Sequence, residues 1–113
     1  MVTLLYTQTV VILRAPLVVD RYGNSVRDWT RATRTTVRRV SVQPDTSAEG
    51  TGDRPVIVTG WRLVTRRGVD VDLEPGDRIE HAGRLTDVDG DVGRYVLGGV
   101  HHHTEARLRE VTG

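Results

Sequence analysis

Three consecutive histidines, His101-His102-His103, are the residues of this chain best suited by type to do chemistry. Imidazole binds metals and moves protons near neutral pH. On an extended strand, alternation sends His101 and His103 to one face and His102 to the other. Two histidines at i, i+2 can share a zinc ion. A third ligand would have to come from elsewhere, Glu105 or His81 being the options. No spaced partner motif accompanies them, so the simpler reading is of surface and rim residues on a last strand. The acidic run Asp87-Val88-Asp89-Gly90-Asp91 has some likeness to a calcium loop. The EF-hand pattern, however, needs Gly at its sixth position and Glu at its twelfth. Those positions hold Val92 and Gly98, so the run reads as an acidic turn.

Arg31, Arg34, Arg38 and Arg39 form a basic stretch, and Arg66-Arg67 adds a pair. A barrel surface of this kind binds single-stranded nucleic acid when aromatic side chains interleave with the charges. Only Trp29 lies close in sequence, so solvated faces or inter-subunit ion pairs are the plainer account. There is no Gly-x-Ser-x-Gly elbow, no phosphate-cradling glycine loop before a helix, and no cysteine nucleophile. The expectation is a protein that is not an enzyme, with no catalytic residues, no cofactor and no metal site.

These residues must be positioned by strands. The 113 residues suit one domain, expected to span 1–113. Phe and Cys are absent, and the aromatic residues are two Trp and three Tyr. Val and Thr carry the load instead, and both fit a pleated sheet better than a helix. All 16 basic side chains are Arg, and the formal net charge is +1, so bulk charge does not point to a nucleic-acid partner. The apolar run Val10–Leu13 is far shorter than the roughly 20 residues of a membrane span. It also lacks the flanks of a signal peptide. Synthesis in the cytoplasm, with no membrane partner, is the expectation.

Thr9–Leu13 reads as a strand ending at Pro16, and Leu17–Asp20 as an extended segment. Arg21-Tyr22-Gly23-Asn24 supplies turn chemistry, with Ser25–Trp29 as the return strand of a hairpin. Thr33–Gln43 is a further strand, ended by Pro44. Asp45–Asp53 contains no apolar residue larger than Ala and reads as a long mobile loop. Pro55–Thr65 is a long strand, with Ile57, Trp61 and Leu63 on one face and Val56, Val58 and Val64 on the other. Arg78–His81 and Arg84–Asp89 are short strands joined by Ala82-Gly83, and Asp89-Gly90-Asp91 is read as the next turn. In the last strand Val100, His102, Thr104, Ala106 and Leu108 share one face. No segment carries a sustained helical period. The fold class expected is all-β: a small antiparallel barrel with a long inter-strand loop and an extended N-terminal arm over residues 1–8.

The stretch Ala15-Pro16-Leu17-Val18-Val19-Asp20-Arg21-Tyr22-Gly23-Asn24, followed by Asp28-Trp29, resembles the head-to-tail stopper (head-closure) proteins of long-tailed bacteriophages. The resemblance is strongest to those from phages of actinobacterial hosts. It continues through Ser41-Val42-Gln43-Pro44, the acidic loop, and Arg54 to Leu63, then Asp77-Arg78-Ile79, Val88-Asp89-Gly90-Asp91 and the histidine-bearing strand. Many relatives carry Pro and an aromatic just after that acidic turn, where this chain has Val92-Gly93-Arg94-Tyr95.

The resemblance implies a β-barrel subunit of a homo-oligomeric ring in the virion neck. Such a ring closes the portal channel, retains packaged DNA and docks the tail. The implied partners are the portal adaptor above, and the tail terminator or tail tube below. Double-stranded DNA lies in the lumen without sequence-specific binding. The implied channel loop is Asp45–Arg54. Its three acids, Asp45, Glu49 and Asp53, against the one base, Arg54, give −3 + 1 = −2 per chain. Repeated around a ring, this makes a negative collar that does not grip phosphate. Apolar residues on both faces of Pro55–Thr65 exceed the needs of one barrel, so Val56, Val58, Trp61 and Leu63 are the expected subunit interface. The segment Val2–Val11 is read as an arm lying on a neighbour. The alternatives are a tail terminator or other neck protein, a small nucleic-acid-binding barrel reading single strands through Arg31–Arg39, and a metal-dependent enzyme built on His101–His103.

Overall fold

Alternating β-branched residues and paired turn signals close this chain into a β-barrel, seen in a computed structural model that describes residues 5–51 and 54–111. The elements are β1 (Gln8–Arg14), β2 (Leu17–Val19), β3 (Ser25–Arg27), a 3₁₀ turn (Trp29–Arg31), β4 (Thr33–Thr51), β5 (Arg54–Val64), β6 (Arg78–His81), β7 (Arg84–Leu97) and β8 (Val100–Glu110). Six strands close into an antiparallel barrel in the order β1-β4-β5-β8-β7-β6, while β2 and β3 form a separate two-stranded sheet. The all-β barrel expected from the sequence is the fold observed.

The interior is filled as a small barrel requires, by inward-facing residues of all six barrel strands. Val10 and Ile12 come from β1, Val40 and Val42 from β4, Leu63 from β5, Ile79 from β6, Val88 from β7, and Ala106 and Leu108 from β8. Val71 and Leu73, from the segment between β5 and β6, complete this core. Burying a Val or Leu side chain stabilises by about 1.5–3 kcal/mol, so these residues hold the barrel closed. Two buried threonines find partners for their hydroxyls. The Thr86 hydroxyl donates to the Ile79 carbonyl at 2.9 Å, and the Thr104 hydroxyl donates to Asp70 at 2.6 Å.

Four sequence expectations are corrected. Pro44 does not end its strand. Register pairs continue from Ser41↔Val64 to Thr51↔Arg54, so the segment read as a loop is the outer half of a β4–β5 hairpin. The last β1 partner of β4 is Gln8↔Val40, so Pro44 lies where the β1 side of the strand is no longer laddered. Proline is tolerated at such an edge. Composition misled because ladder hydrogen bonds come from the backbone and need no apolar side chain. Gly52 and Asp53 lie outside the described residues, as do the side chains of 46–51 and 54–59.

Second, Asp89-Gly90-Asp91 is not a turn. Strand β7 runs through it, and register advances four residues on β7 (Asp89 to Gly93) against two on β8 (Arg107 to Glu105). This is a bulge, which bends a strand without ending it. Third, Gln8, assigned to the arm, belongs to β1. Gln8–Val11 are laddered in β1 and Val10 is buried in the core. Leu5–Thr7 precede that strand, and Met1–Leu4 lie outside the described residues.

Fourth, alternation along β8 breaks at His102. Tyr95 pairs with His103 but Val96 pairs with His101, leaving His102 as the extra residue of a second bulge. Thr104, Ala106 and Leu108 face the interior as expected, whereas Val100 is exposed at the hairpin end. It is His101, not His102, that reaches the Thr104 side, with Nε2 3.3 Å from the Thr104 hydroxyl.

Candidate functional site

Strand directions decide where the hairpins point. β4 runs antiparallel to β1, so the β4–β5 hairpin leaves the barrel at the end where β1 begins. From Asp45↔Gly60 to Thr51↔Arg54 its two strands pair only with each other among the described residues. Six residue steps make this projection about 20 Å long. The radius of gyration is 16.1 Å, against about 13 Å for a compact chain of this length. Gly60 is the pivot of the projection. A Cβ there would sit 2.6 Å from the Leu108 carbonyl oxygen, so only glycine allows β5 to cross β8 this closely before departing.

At the opposite end, two further hairpins project. β2–β3 follows the end of β1, and its turn is built by Asp20. The Asp20 carboxylate accepts from the Tyr22 and Asn24 amides, both at 2.9 Å. The backbone turn closes with Asp20 N–H donating to the Asn24 carbonyl at 2.8 Å. At its base the Asp28 amide donates to the Pro16 carbonyl at 2.9 Å, and Arg27 donates to the Ala15 carbonyl at 3.2 Å. The outer part of β7–β8, closed by Gly98-Gly99, extends from the same end because β7 runs antiparallel to β6 and β6 antiparallel to β1. Both glycines have positive φ (+58° and +77°), which a two-residue turn between right-twisted strands demands.

Both of these hairpins are apolar on the outside. Leu17, Val19, Tyr22 and Val26 stand exposed on β2–β3, with Tyr22 at 73%. Tyr95, Val96, Leu97 and Val100 stand exposed on β7–β8. Beside Tyr95 opens a groove of about 400 Å³ lined by Asp89, Asp91, Glu105, Arg62 and Arg107. Gly93 lets the Tyr95 ring lie 3.1 Å from where a Cβ would be.

A network fixes the barrel end from which these hairpins rise. Arg14 donates to both carboxylate oxygens of buried Asp77, at 3.1 and 2.9 Å, and to Asp72. Asp77 also accepts from the Glu74 amide at 2.9 Å. These hydrogen bonds raise the Arg14 pKa above its already high ordinary value. Arg94 donates to the Val71 and Leu73 carbonyls and to Asp70, tying β7 to the segment that plugs the core. The Asp70 carboxyl is held below its usual range, first by the Thr104 hydroxyl and then by the Val71 amide and Arg94.

The histidines are packed rather than poised. The Nδ1 atoms of His102 and His103 are 2.8 Å apart, a contact between sequence neighbours that the bulge creates. Tyr95 stacks on His103 with centroids 4.7 Å apart. His103 Nε2 is 3.5 Å from Glu105, and His101 Nε2 is 3.2 Å from the Val69 carbonyl. Among the described residues no three His, Asp or Glu side chains converge to hold a metal ion. His81 lies apart on β6, its ring edge-on to Trp61 at 5.5 Å.

The expected site residues fall in different places. Asp45, at the root of the projecting hairpin, is 3.5 Å from Arg62. Glu49, Arg54, Val56 and Val58 are laddered along the hairpin (Glu49↔Val56, Thr51↔Arg54, Ser47↔Val58). Their side chains and Asp53 lie outside the described residues. Leu63 is 0% exposed inside the barrel, so its assignment to a subunit interface is withdrawn. Trp61 is half-buried against the core, with the Arg84 guanidinium 5.2 Å from its ring centroid. Arg34 is paired with Glu80 at 2.8 Å, and Arg38 and Arg39 are exposed. Sequence reasoning missed the β7–β8 tip. The signal was present in Tyr95-Val96-Leu97 followed by Gly98-Gly99 and Val100, the pattern of a two-residue hairpin.

No protein-family model matches the chain, and no curated protein matches it either. Among solved structures it is similar to a chain from the virion of a native gene transfer agent particle. The TM-score is 0.62 at 20% identity, covering 96% of this chain and 97% of that one. At that identity the likeness is one of fold. A second similar chain is protein xkdH of the phage-like element PBSX from Bacillus subtilis, with TM-score 0.39 and 11% identity over 93% and 95% of the two chains. At that score it carries no argument. No helix among the described residues is long and apolar enough to cross a membrane.

Proposed function

We propose that this protein is a structural subunit of a phage-type virion, forming the stopper ring of the head-to-tail connector. In this role it closes the portal channel, retains packaged DNA and docks the tail, and it does not catalyse a reaction. The observation that carries the reading is the division of the molecule into two ends. One end extends the β4–β5 hairpin about 20 Å beyond the barrel, and the other presents two exposed apolar hairpins. A ring subunit needs something that reaches the axis and something that binds neighbours, and these are separate parts here.

The fold likeness to a gene transfer agent virion chain, end to end in both proteins, supports placement in a virion. The resemblance along Ala15–Asn24 to stopper proteins supports the neck position, and those residues are the β2–β3 hairpin and its root. In this reading the hairpin bearing Asp45, Glu49, Asp53 and Arg54 lines the channel. Its charge of −2 per chain keeps packaged DNA from adhering, since each phosphate contact would add salt-dependent affinity. Val56 and Val58, on the returning strand, contact neighbouring hairpins. The portal adaptor lies above and the tail terminator or tail tube below.

The test is loss of function in the encoding particle. Without this protein, heads are expected to package DNA and then lose it, becoming sensitive to added nuclease and failing to join tails. Heads that stayed full and joined tails normally would remove the stopper reading.

A further inference from the structure

Nine large apolar side chains stand exposed among the described residues, and eight of them lie on two hairpins, β2–β3 and β7–β8. The positions of these hairpins are fixed by the barrel order. β2–β3 rises between β1 and β4; the other hairpin is the outer part of β7 and β8. In the closed order β1-β4-β5-β8-β7-β6, β6 alone separates the two seams one way round and the β5 strand alone the other way. The two hairpins therefore stand on opposite sides of the barrel at the same end. A head-to-tail contact between identical subunits needs two different patches at one level on opposite flanks.

The patches also differ in kind. The β2–β3 hairpin is a knob whose tip carries Arg21 over the Tyr22 ring, 5.0 Å from the centroid. The β7–β8 side has a hole, the groove of about 400 Å³ beside Tyr95. Neither Arg21 at the knob nor Asp91 in the groove makes an ion pair among the described residues. Their charges are opposite. The bulge at Asp89–Gly93 bends β7 away at this point and opens the groove.

We propose that the β2–β3 tip of one copy of this chain docks in the groove beside Tyr95 of the next copy, Tyr22 packing on Tyr95 and Arg21 meeting Asp91. This contact rests on the ring reading above and names the lateral interface of that ring. Apolar patches of this kind amount to a few hundred Å², below the ~800 Å² per partner of a standard stable interface. A single contact is accordingly weak, and closure, in which every copy uses both patches, makes the assembly hold. It also replaces Leu63, which the core consumes, with residues that are free to meet a neighbour.

The chain contains no cysteine, which makes site-directed cross-linking direct. Asn24→Cys at the tip and Arg107→Cys in the groove leave Arg21, Tyr22, Asp91 and Tyr95 in place. Purified full-length Asn24→Cys/Arg107→Cys protein, treated with a short bis-maleimide at high concentration, is expected to give a ladder of multimers. The single variants are expected to remain monomeric. Adding Arg21→Asp should abolish the ladder, and adding Asp91→Arg to that variant should restore it. Cross-links between like cysteines only, the absence of a ladder, or a ladder indifferent to the charge exchange would each overturn the proposal. The ring reading is judged separately. A ladder ending in one closed species supports both, and an open-ended ladder keeps the contact but contradicts the ring. A ring seen in particles whose cysteine variants never cross-link contradicts the contact alone.

Discussion

The carboxylate of Asp77, 2% exposed, accepts hydrogen bonds from Arg14 on both oxygens, and Arg14 is the last residue of β1 before the β2–β3 hairpin. This pair links the segment before β6 to the root of the proposed knob. Breaking a buried pair by removing one partner typically costs 3–5 kcal/mol. Arg14 keeps Asp72 and is partly solvated, which reduces that figure. Asp77→Ala is expected to destabilise by about 2–3 kcal/mol, measured by urea denaturation. A change below about 0.5 kcal/mol would show the network to be ornamental.

His81 carries the clearest pH dependence. Burial, and then the nearby positive Arg84, lower its pKa below 6.5, and its Nε2 atom has no hydrogen-bond partner. The folded state therefore resists protonation while the unfolded state accepts it. Stability falls as pH drops from the unfolded value of about 6.5 towards the folded pKa, and is flat above it. His81→Leu is expected to remove this slope and to stabilise by about 1 kcal/mol at neutral pH, where an unpaired buried polar atom is also eliminated. Thermal melts from pH 7.5 to 5 check both. An unchanged slope would assign the pH dependence to another group.

Ala82 and Gly83 join β6 to β7 with φ of +48° and +76°. Such a two-residue turn favours Asn-Gly, because Asn tolerates the left-handed region better than Ala. Ala82→Asn is expected to stabilise by roughly 0.5–1 kcal/mol, and Ala82→Val to destabilise by at least as much. Chemical denaturation of the two variants gives the answer, and a stabilising valine would contradict the turn geometry.

The barrel and the β4–β5 projection are expected to separate cleanly. Replacing residues 46–59 with Asn-Gly closes the hairpin on the Asp45↔Gly60 pair, removes rungs that pair only within the hairpin and leaves every core residue in place. Stability should change by less than about 1 kcal/mol, since surface changes remote from the core have small effects. Heads carrying the shortened protein should lose DNA while still binding it at the neck. Full retention of DNA would mean the hairpin does not close the channel.

Much of this architecture could be read from residue types alone. Thr104, Ala106 and Leu108 alternate inward as their pattern requires, and Arg21–Asn24 and Ala82-Gly83 turn where their chemistry indicates. The errors share a cause, in that partner strands decide what local composition leaves open. Asp45–Thr51 has little to bury, yet a facing strand of Val and Ile residues gives its backbone a ladder. Asp89–Asp91 reads as a turn until β8 is seen to continue opposite it. A single extra residue at His102 reverses the faces upstream, which no period-2 pattern can foresee. Leu63 and Val56 share a strand of uniform appearance, and only barrel closure shows that Leu63 is spent inside.

The central claim is a ring at the head–tail junction, and cryo-electron microscopy of the encoding particle along its axis tests it most directly. The account predicts this barrel repeated around the channel between portal adaptor and tail. The β4–β5 hairpins should point to the axis, with each β2–β3 tip seated beside Tyr95 of its neighbour. Finding the chain elsewhere in the particle, or absent from it, would contradict the account.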